Sequence, residues 1–348
     1  ITNVGNFSTD GGTIKLDGSY PTGDRNTALG DTALDSVEAG GTDNTVIGSR
    51  AGTQTTTGDR NTVYGSDAYR CNATASDNTA FGYQALHCNT SGNNNVAVGN
   101  ALCKNTSGLY NVAMGSGALS SNTTASANVG IGRLALTTNT TGACNVAIGC
   151  CALKSNTTAN HNTAIGHESL KSNTEGGCNV AVGRISLQDN TTGANNVAIG
   201  ASALQSNTTA SDNVAIGKSA LTATLTGCRN VAIGSQALIS NTADNNVAVG
   251  FCALKTNSSG ANNTAVGRFA LVLNQTGATN TAVGQNSLHS NTTASDNTAV
   301  GAASLYANTT GANNVAIGRQ ALVANTTGAN NTTVGAYSLC DNTTGASN

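Results

Sequence analysis

One short string recurs through almost the whole sequence and limits the folds open to it. The string has the form Asn-Val/Thr-Ala-Ile/Val-Gly, and the Gly that closes it occurs nineteen times between Gly30 and Gly335. Fifteen of the eighteen intervals between these corner glycines are 17 residues long, two are 16 and one is 18. Self-similarity at a fixed short period is typical of repeat proteins in which each unit stacks on the next. The sequence therefore predicts a stack of nineteen similar rungs.

A rung of this length is too short for a pair of helices, and its pattern indicates strands. A well-formed rung runs from Asn196 to Asp212, with β-branched residues before Gly200, then Ala and Leu, then a polar stretch of Asn and Thr. This pattern predicts strand, bend, strand and turn. Equivalent strands of successive rungs would pair in parallel, which predicts an all-β parallel β-solenoid with a 17-residue period. At a strand spacing of about 4.8 Å, nineteen rungs would span on the order of 90 Å.

The repeat also predicts the domain organisation. It covers residues 22–348 without a linker or a change of composition, so we expect a single continuous β-solenoid domain there. Residues 1–21 lie outside the repeat and are predicted to be a cap or a connecting segment. The sequence ends at Asn348, where the Asn of the next rung is due. Because open solenoid ends expose unpaired strand edges, we expect a longer fibre or end-to-end stacking into a filament.

Composition excludes several classes of function. There are 15 Lys and Arg against 17 Asp and Glu, so no basic surface for nucleic acid or for lipid headgroups is expected. No apolar run approaches the roughly 18 residues of a membrane span, so membrane insertion is not expected either. Every Ser and Asp lies in a repeating column, and no nucleophile with a base and an orienting group is visible. We therefore expect no enzymatic activity and no cofactor.

The apolar columns of the rung predict its core and an interface. The residue before the corner Gly is apolar in every rung, and Leu occupies the fourth position after it in nearly all of them. Both are predicted to face inward. The residue two before the Gly would then face outward, and it is Ala in fifteen rungs. Since a long exposed apolar stripe usually marks an interface, we expect lateral association through Ala147, Ala198, Ala215, Ala232 and Ala316.

Two columns of Asn repeat with the same period. The first stands four residues before the Gly in all nineteen rungs, where stacked side chains can form an amide ladder. Such a ladder is predicted for Asn145, Asn196, Asn213 and Asn230. The second column lies in the polar turn and matches the Asn-x-Ser/Thr motif of N-glycosylation. Ordinary turn chemistry explains this second column, and sparse glycosylation is the alternative, with candidate sites at Asn139, Asn207 and Asn308.

The ten Cys residues offer two further possibilities. Cys71 and Cys88 share a column in adjacent rungs, which places them within disulfide reach, and they are the best disulfide candidates. Cys144, His161 and Cys178 share a column in three consecutive rungs, where soft ligands would suit a metal ion. Their spacing matches no zinc signature, so the alternative interpretation is that these three are scattered surface residues that bind no metal.

Hydroxyl groups two residues apart suggest one more function. They recur in successive rungs, for example at Thr138 and Thr140 and at Ser206 and Thr208. If this segment were a flat strand, the hydroxyls would form a regular array, so ice binding is an alternative.

The repeat resembles those of known fibrous proteins. Its Asn-Val-Ala-Ile-Gly-x-x-Ala-Leu string, as at Asn145–Gly149 with Ala152 and Leu153, is similar to the head repeats of YadA-like trimeric autotransporter adhesins. It is even more similar to the repeats of phage and viral tail-fibre proteins. The resemblance covers residues 22–348 and implies a left-handed β-roll, a homotrimer and an extracellular location on a filament, a cell surface or a virion. The function it implies is a structural fibre shaft or, alternatively, an adhesin head that binds a cell-surface or glycan receptor.

Overall fold

The fold is made of short strands and turns. A computed structural model describes Ser8–Thr9, Gly12–Lys15 and residues 25–348, and these residues contain no helix that could cross a membrane. They belong to two compact units, which divide between Glu175 and Gly176. Each unit is an all-β parallel β-solenoid with a period of about 17 residues, which confirms the predicted fold class.

The first unit holds a parallel ladder that begins beside an antiparallel pair. Its strands are β1 (Ser8–Thr9), β2 (Gly12–Lys15), β3 (Thr27–Leu29), β4 (Thr45–Ile47), β5 (Thr62–Tyr64), β6 (Thr79–Phe81), β7 (Val96–Val98), β8 (Val112–Met114), β9 (Val129–Ile131), β10 (Val146–Ile148) and β11 (Thr163–Ile165). Strands β3 to β11 pair in parallel, each in register with the equivalent residues of the next rung.

The edge of β3 that faces away from β4 is covered by the antiparallel pair. Ile14 of β2 lies opposite Leu29 of β3, and β1 pairs with the other side of β2. This arrangement blocks addition of a further strand to β3. Apart from β1 and β2, the segment predicted to be a cap, residues 1–21, lies outside the described residues.

The second unit repeats the same ladder. Its strands are β12 (Val180–Val182), β13 (Val197–Ile199), β14 (Val214–Ile216), β15 (Val231–Ile233), β16 (Val247–Val249), β17 (Thr264–Val266), β18 (Thr281–Val283), β19 (Thr298–Val300), β20 (Val315–Ile317) and β21 (Thr332–Val334). All of them pair in parallel and in register. The two units together hold the nineteen repeat strands that the sequence predicts.

Within residues 25–348 each rung contains one three-residue strand, and the second strand predicted from the sequence is not formed there. After Val197–Ile199, residues 201–206 form a turn in which Ser202 and Leu204 have φ values of 58° and 50°. This left-handed conformation is incompatible with a strand. The turn is still bonded to the next rung, as from Leu204 N to Ala220 O at 3.0 Å. Such bonds offset the roughly 1–2 kcal/mol that each left-handed residue costs.

Ala and Leu fill the narrow interior of the rungs. The Leu column is fully buried, as predicted, except at Leu339 in the last rung. The Ala column two before the corner Gly is buried as well, so the predicted orientation of the strand is wrong. None of the residues predicted to form a lateral interface is exposed: Ala147, Ala198, Ala215, Ala232 and Ala316. The residue before the Gly faces outward instead, with Ile148 and Ile199 exposed to 36% and 39%.

The close approach of the Ala and Leu columns explains this orientation. Gly130 occupies the Ala position of its rung, and a Cβ added there would lie 3.2 Å from Leu119 Cγ. Beside a Leu the space between the columns is therefore filled by a methyl group, and a larger side chain would overpack it. The buried Val46 and Val63 take this place in the two rungs where Gly52 and Tyr69 replace Leu. The bulkier β-branched residues consequently point away from the interior.

The corner glycines combine an unusual backbone conformation with close stacking. Gly200 has a φ of 129°, a conformation that other residues rarely adopt. A Cβ at this position would also lie only 2.7 Å from the backbone carbonyl of Gly217 in the next rung. Both the bend and the contact between rungs therefore exclude a side chain.

Replacing Gly200 by Ala is expected to lower the free energy of unfolding by about 2 kcal/mol or more, since a steric clash adds to backbone strain. Gly335→Ala is the matched control. Gly335 has a φ of 128°, but the nearest atom to its added Cβ is Ser338 Cβ at 3.9 Å. The free energy of unfolding of the control variant should fall only by the part that arises from backbone strain. Urea denaturation of both variants measures the difference, and equal losses would contradict a role for stacking.

Candidate functional site

A ladder of buried asparagine amides links the rungs of each unit. Asn196 donates from Nδ2 to Asn179 Oδ1 at 3.2 Å, and the same oxygen accepts the Asn196 backbone N–H at 2.9 Å. Asn213 and Asn230 repeat the backbone contact at 3.1 and 2.9 Å, and Asn145 makes both contacts with the preceding rung. These side chains are fully buried. The residues predicted to form an amide ladder are therefore arranged as one.

A second ladder, which sequence reasoning missed, runs through the polar turns. Asn207 donates from Nδ2 to Asn190 Oδ1 at 2.7 Å and to Ala210 O at 3.1 Å. The same Ala210 carbonyl accepts Asn196 Nδ2 of the first ladder at 2.9 Å. The two ladders thus meet at one carbonyl, and the preceding rung has the same junction at Gly193 O. Each buried amide gains partners both within its rung and in a neighbouring one, which is what burial of a polar group requires.

The candidate glycosylation sites belong to this second ladder. Asn139, Asn207 and Asn308 are fully buried. Asn139 Nδ2 donates to Asn122 Oδ1 at 3.0 Å and to Gly142 O at 2.9 Å. A glycan on this nitrogen would displace these bonds and has no space beside the neighbouring rung. The structure therefore agrees with the structural turn interpretation of this column and contradicts the glycosylation alternative for the folded protein.

The hydroxyl groups considered for ice binding also bond to the backbone. Thr140 Oγ1 donates to Thr157 O at 3.1 Å, and Thr208 Oγ1 donates to Leu225 O at 3.2 Å. Thr138 Oγ1 likewise donates to Lys154 O at 2.8 Å. The segment that carries them is a turn and not a flat strand. These hydroxyls thus stabilise contacts between rungs and do not form a free array on a strand surface.

The cysteines are arranged differently from the sequence prediction. All ten are free thiols, so the predicted Cys71–Cys88 disulfide is not formed in the structure. Both thiols instead lie beside His87, and one ligand atom from each of the three side chains lies within 4.8 Å of the other two. Across the part of the chain that the structure describes, no other three His, Cys, Asp or Glu side chains meet this criterion.

The predicted metal ligands are not gathered in this way. Cys144 and His161 belong to the first unit and Cys178 to the second, and all three side chains are exposed. Within the first unit, Cys144 and His161 share a column, and a shared column spaces its members one rung apart. The cluster around His87 instead draws on two neighbouring columns, which brings His87 Nδ1 to 3.3 Å from Cys88 Sγ.

The outer face of the strands forms an uncharged apolar surface. We define the outer strand face as the residues three and one before the corner Gly in β3 to β21; all of them are aliphatic, aromatic, Met or Thr. In the first unit, the Tyr64 and Phe81 rings stack with centroids 5.0 Å apart and are half exposed. In the second unit, Ile199, Ile233 and Ile317 are all exposed to nearly 40%. Each unit therefore presents a periodic apolar stripe, though through other residues than the predicted Ala column.

A break in the second ladder provides a test of its contribution. Thr224 takes the place of Asn in this column, and the Oδ1 of Asn207 has no hydrogen-bond partner. Thr224→Asn is expected to restore a donor to this oxygen and to raise the free energy of unfolding by about 1 kcal/mol. The control is Thr226→Asn, at an exposed position in the same turn, which should leave stability unchanged. Calorimetry of both variants checks this, and equal melting temperatures would contradict it.

The function of the protein has to be inferred from the geometry of its structure. No protein-family model matches the chain, and no curated protein matches it. The resemblance to YadA-like adhesin heads and tail fibres stays a prediction from the repeat string. The fold establishes that the protein consists of repeated β-solenoid rungs. The side-chain cluster of Cys71, His87 and Cys88 departs from this repeat.

Proposed function

We propose that the chain is a structural, non-enzymatic fibre protein whose solenoid units associate laterally with further copies of the same chain. The observation that carries the proposal is the outer strand face. This face is apolar, uncharged and repeated at the strand spacing throughout both units. An exposed apolar stripe of this kind usually marks an interface.

The regularity of the stripe indicates a second copy of the chain as its partner. A partner that matches the stripe along its length needs side chains at the same spacing. Another copy of the chain has that spacing because its rungs are the same. The absence of Lys, Arg, Asp and Glu from this face gives a charged partner no complementary group. Burying one Ile or Val at the interface would contribute roughly 1.5–3 kcal/mol, and the contribution recurs in every rung.

The similarity of the rungs supports a fibre shaft rather than an adhesin head or an ice-binding surface. An adhesin head binds its receptor through a surface with distinct chemistry, whereas here most turns repeat the same Asn and Thr residues. The Thr hydroxyls that an ice-binding surface would require donate to backbone carbonyls of the next rung. A homotrimer and an extracellular or virion location belong to the proposal through the resemblance of the repeat string.

Lys substitutions on the outer strand face test the proposal. We expect the wild-type chain to sediment as an oligomer, with trimer mass, and Ile199→Lys/Ile233→Lys/Ile317→Lys to sediment as a monomer, because charged ammonium groups are costly to bury unpaired. Far-ultraviolet circular dichroism should be unchanged, since these side chains lie outside the core. Analytical ultracentrifugation measures the masses.

A second triple variant serves as the control for charge alone. Thr192, Thr209 and Thr226 are exposed in the turns of three successive rungs, away from the strands. Thr192→Lys/Thr209→Lys/Thr226→Lys should keep the wild-type mass. A wild-type monomer at tens of micromolar, or an oligomer that survives the substitutions on the outer strand face, would contradict the proposal.

A further inference from the structure

The cluster of Cys71, His87 and Cys88 departs from the regularity of the rungs. It lies in the turn that follows the buried Tyr69 and Leu86, on neighbouring rungs of the first unit. The backbone fixes the two rungs against each other, since Cys71 N donates to His87 O at 2.9 Å. All three side chains are half-buried. The cluster is therefore held by ladder bonds of the scaffold and remains accessible from solvent.

The distances within the cluster match those between ligands of a tetrahedral metal ion. His87 Nδ1 lies 3.3 Å from Cys88 Sγ, and one ligand atom of each residue lies within 4.8 Å of both others. Zinc bonds of roughly 2.3 Å to sulfur and 2.0 Å to nitrogen place tetrahedral ligand atoms about 3.5–3.8 Å apart. Only small side-chain adjustments separate the observed positions from that arrangement.

Burial favours the neutral forms of the His87 imidazole and the Cys71 thiol. Burial, followed by the positive charge of Arg70, lowers the pKa of His87, which keeps its imidazole neutral and its nitrogens available as ligands at neutral pH. Burial and the neighbouring Cys88 raise the pKa of Cys71, an effect that the guanidinium of Arg70 opposes. The free thiol is thus protonated at neutral pH, and metal binding would release its proton to solvent.

We propose that Cys71, His87 and Cys88 form a binding site for a thiophilic divalent cation of the zinc class. The three side chains supply two sulfurs and one nitrogen, the ligand types that such ions prefer. A water molecule would complete the tetrahedron, since Cys103 lies outside the cluster and its thiol donates to Asn100 Oδ1 at 3.4 Å. The ion cross-links two successive rungs at the place where the sequence pattern suggested a disulfide.

Titration of the reduced full-length chain with Co²⁺ alone tests the site. Tetrahedral Co²⁺ bound to thiolate gives a charge-transfer band in the near ultraviolet and d–d bands in the visible region. We expect these bands to saturate at one Co²⁺ per chain and to disappear when Zn²⁺ is added. The midpoint of thermal unfolding should rise with Zn²⁺ concentration, since the ion binds the folded state.

Single substitutions identify the ligands. Cys71→Ser, Cys88→Ser and His87→Ala should each abolish the tetrahedral Co²⁺ bands, with circular dichroism showing that the fold is kept. Cys150→Ser is the matched control, because Cys150 and Cys151 also place two thiols close together, at 3.5 Å, but outside the cluster. This variant should bind Co²⁺ like the wild type.

Three results of the Co²⁺ titrations would overturn the proposal. They are the absence of the bands in the wild-type protein, their persistence in the Cys71→Ser or His87→Ala variants, and their loss in Cys150→Ser. A stable Cys71–Cys88 disulfide in protein purified without reductant, found by mass spectrometry, would overturn it as well.

Discussion

The structure depends on the satisfaction of buried amides by an identical rung one strand spacing away. A buried Asn without partners would cost about 1–3 kcal/mol, so a rung loses stability where its neighbour lacks Asn at the same place, as at Thr224. The irregular rungs show how strong this requirement is. Asn111 lies 16 residues after Asn95 and still bonds to its Oδ1, and Asn44 does the same 18 residues after Asn26. The turns absorb the change in length, and the ladder keeps its register.

The space enclosed by each rung follows from the two ladders. Two Asn side chains already occupy part of the interior, which leaves space for one Leu and for small residues beside it. This explains why Ala is the strand residue that points inward in fifteen of the nineteen rungs, with Val46 and Val63 in the two rungs where Gly52 and Tyr69 replace Leu. The outward-facing column consequently carries large and variable side chains, including Tyr64, Phe81 and Met114. An apolar outer surface is thus a consequence of a small core, and this links the fold to the proposed association.

The sequence predicts the period, the parallel register, the buried Leu and the first ladder, because each depends on spacing alone. It also contains a signal for the direction of the strand. Asn196 and Ala198 are two residues apart and therefore lie on the same face, so a buried ladder requires a buried Ala column. The missing second strand is harder to foresee, because Ser202 and Leu204 are not residues that favour a positive φ. Contacts between rungs impose that conformation.

The rungs that depart from the pattern show how a repetitive scaffold acquires a specific site. Tyr69 replaces Leu, and its buried hydroxyl donates to Asn61 Oδ1 at 2.9 Å while accepting Asn78 Nδ2 at 2.6 Å. The ladder tolerates this residue because the hydroxyl group takes part in it. Cys71 follows two residues later, in a turn whose backbone remains bonded to the next rung. Since the ladders hold the backbone, a turn can carry Cys and His in columns that hold residues such as Thr, Ser, Lys or Gln in other rungs without loss of register, and metal-binding chemistry can arise there at little structural cost.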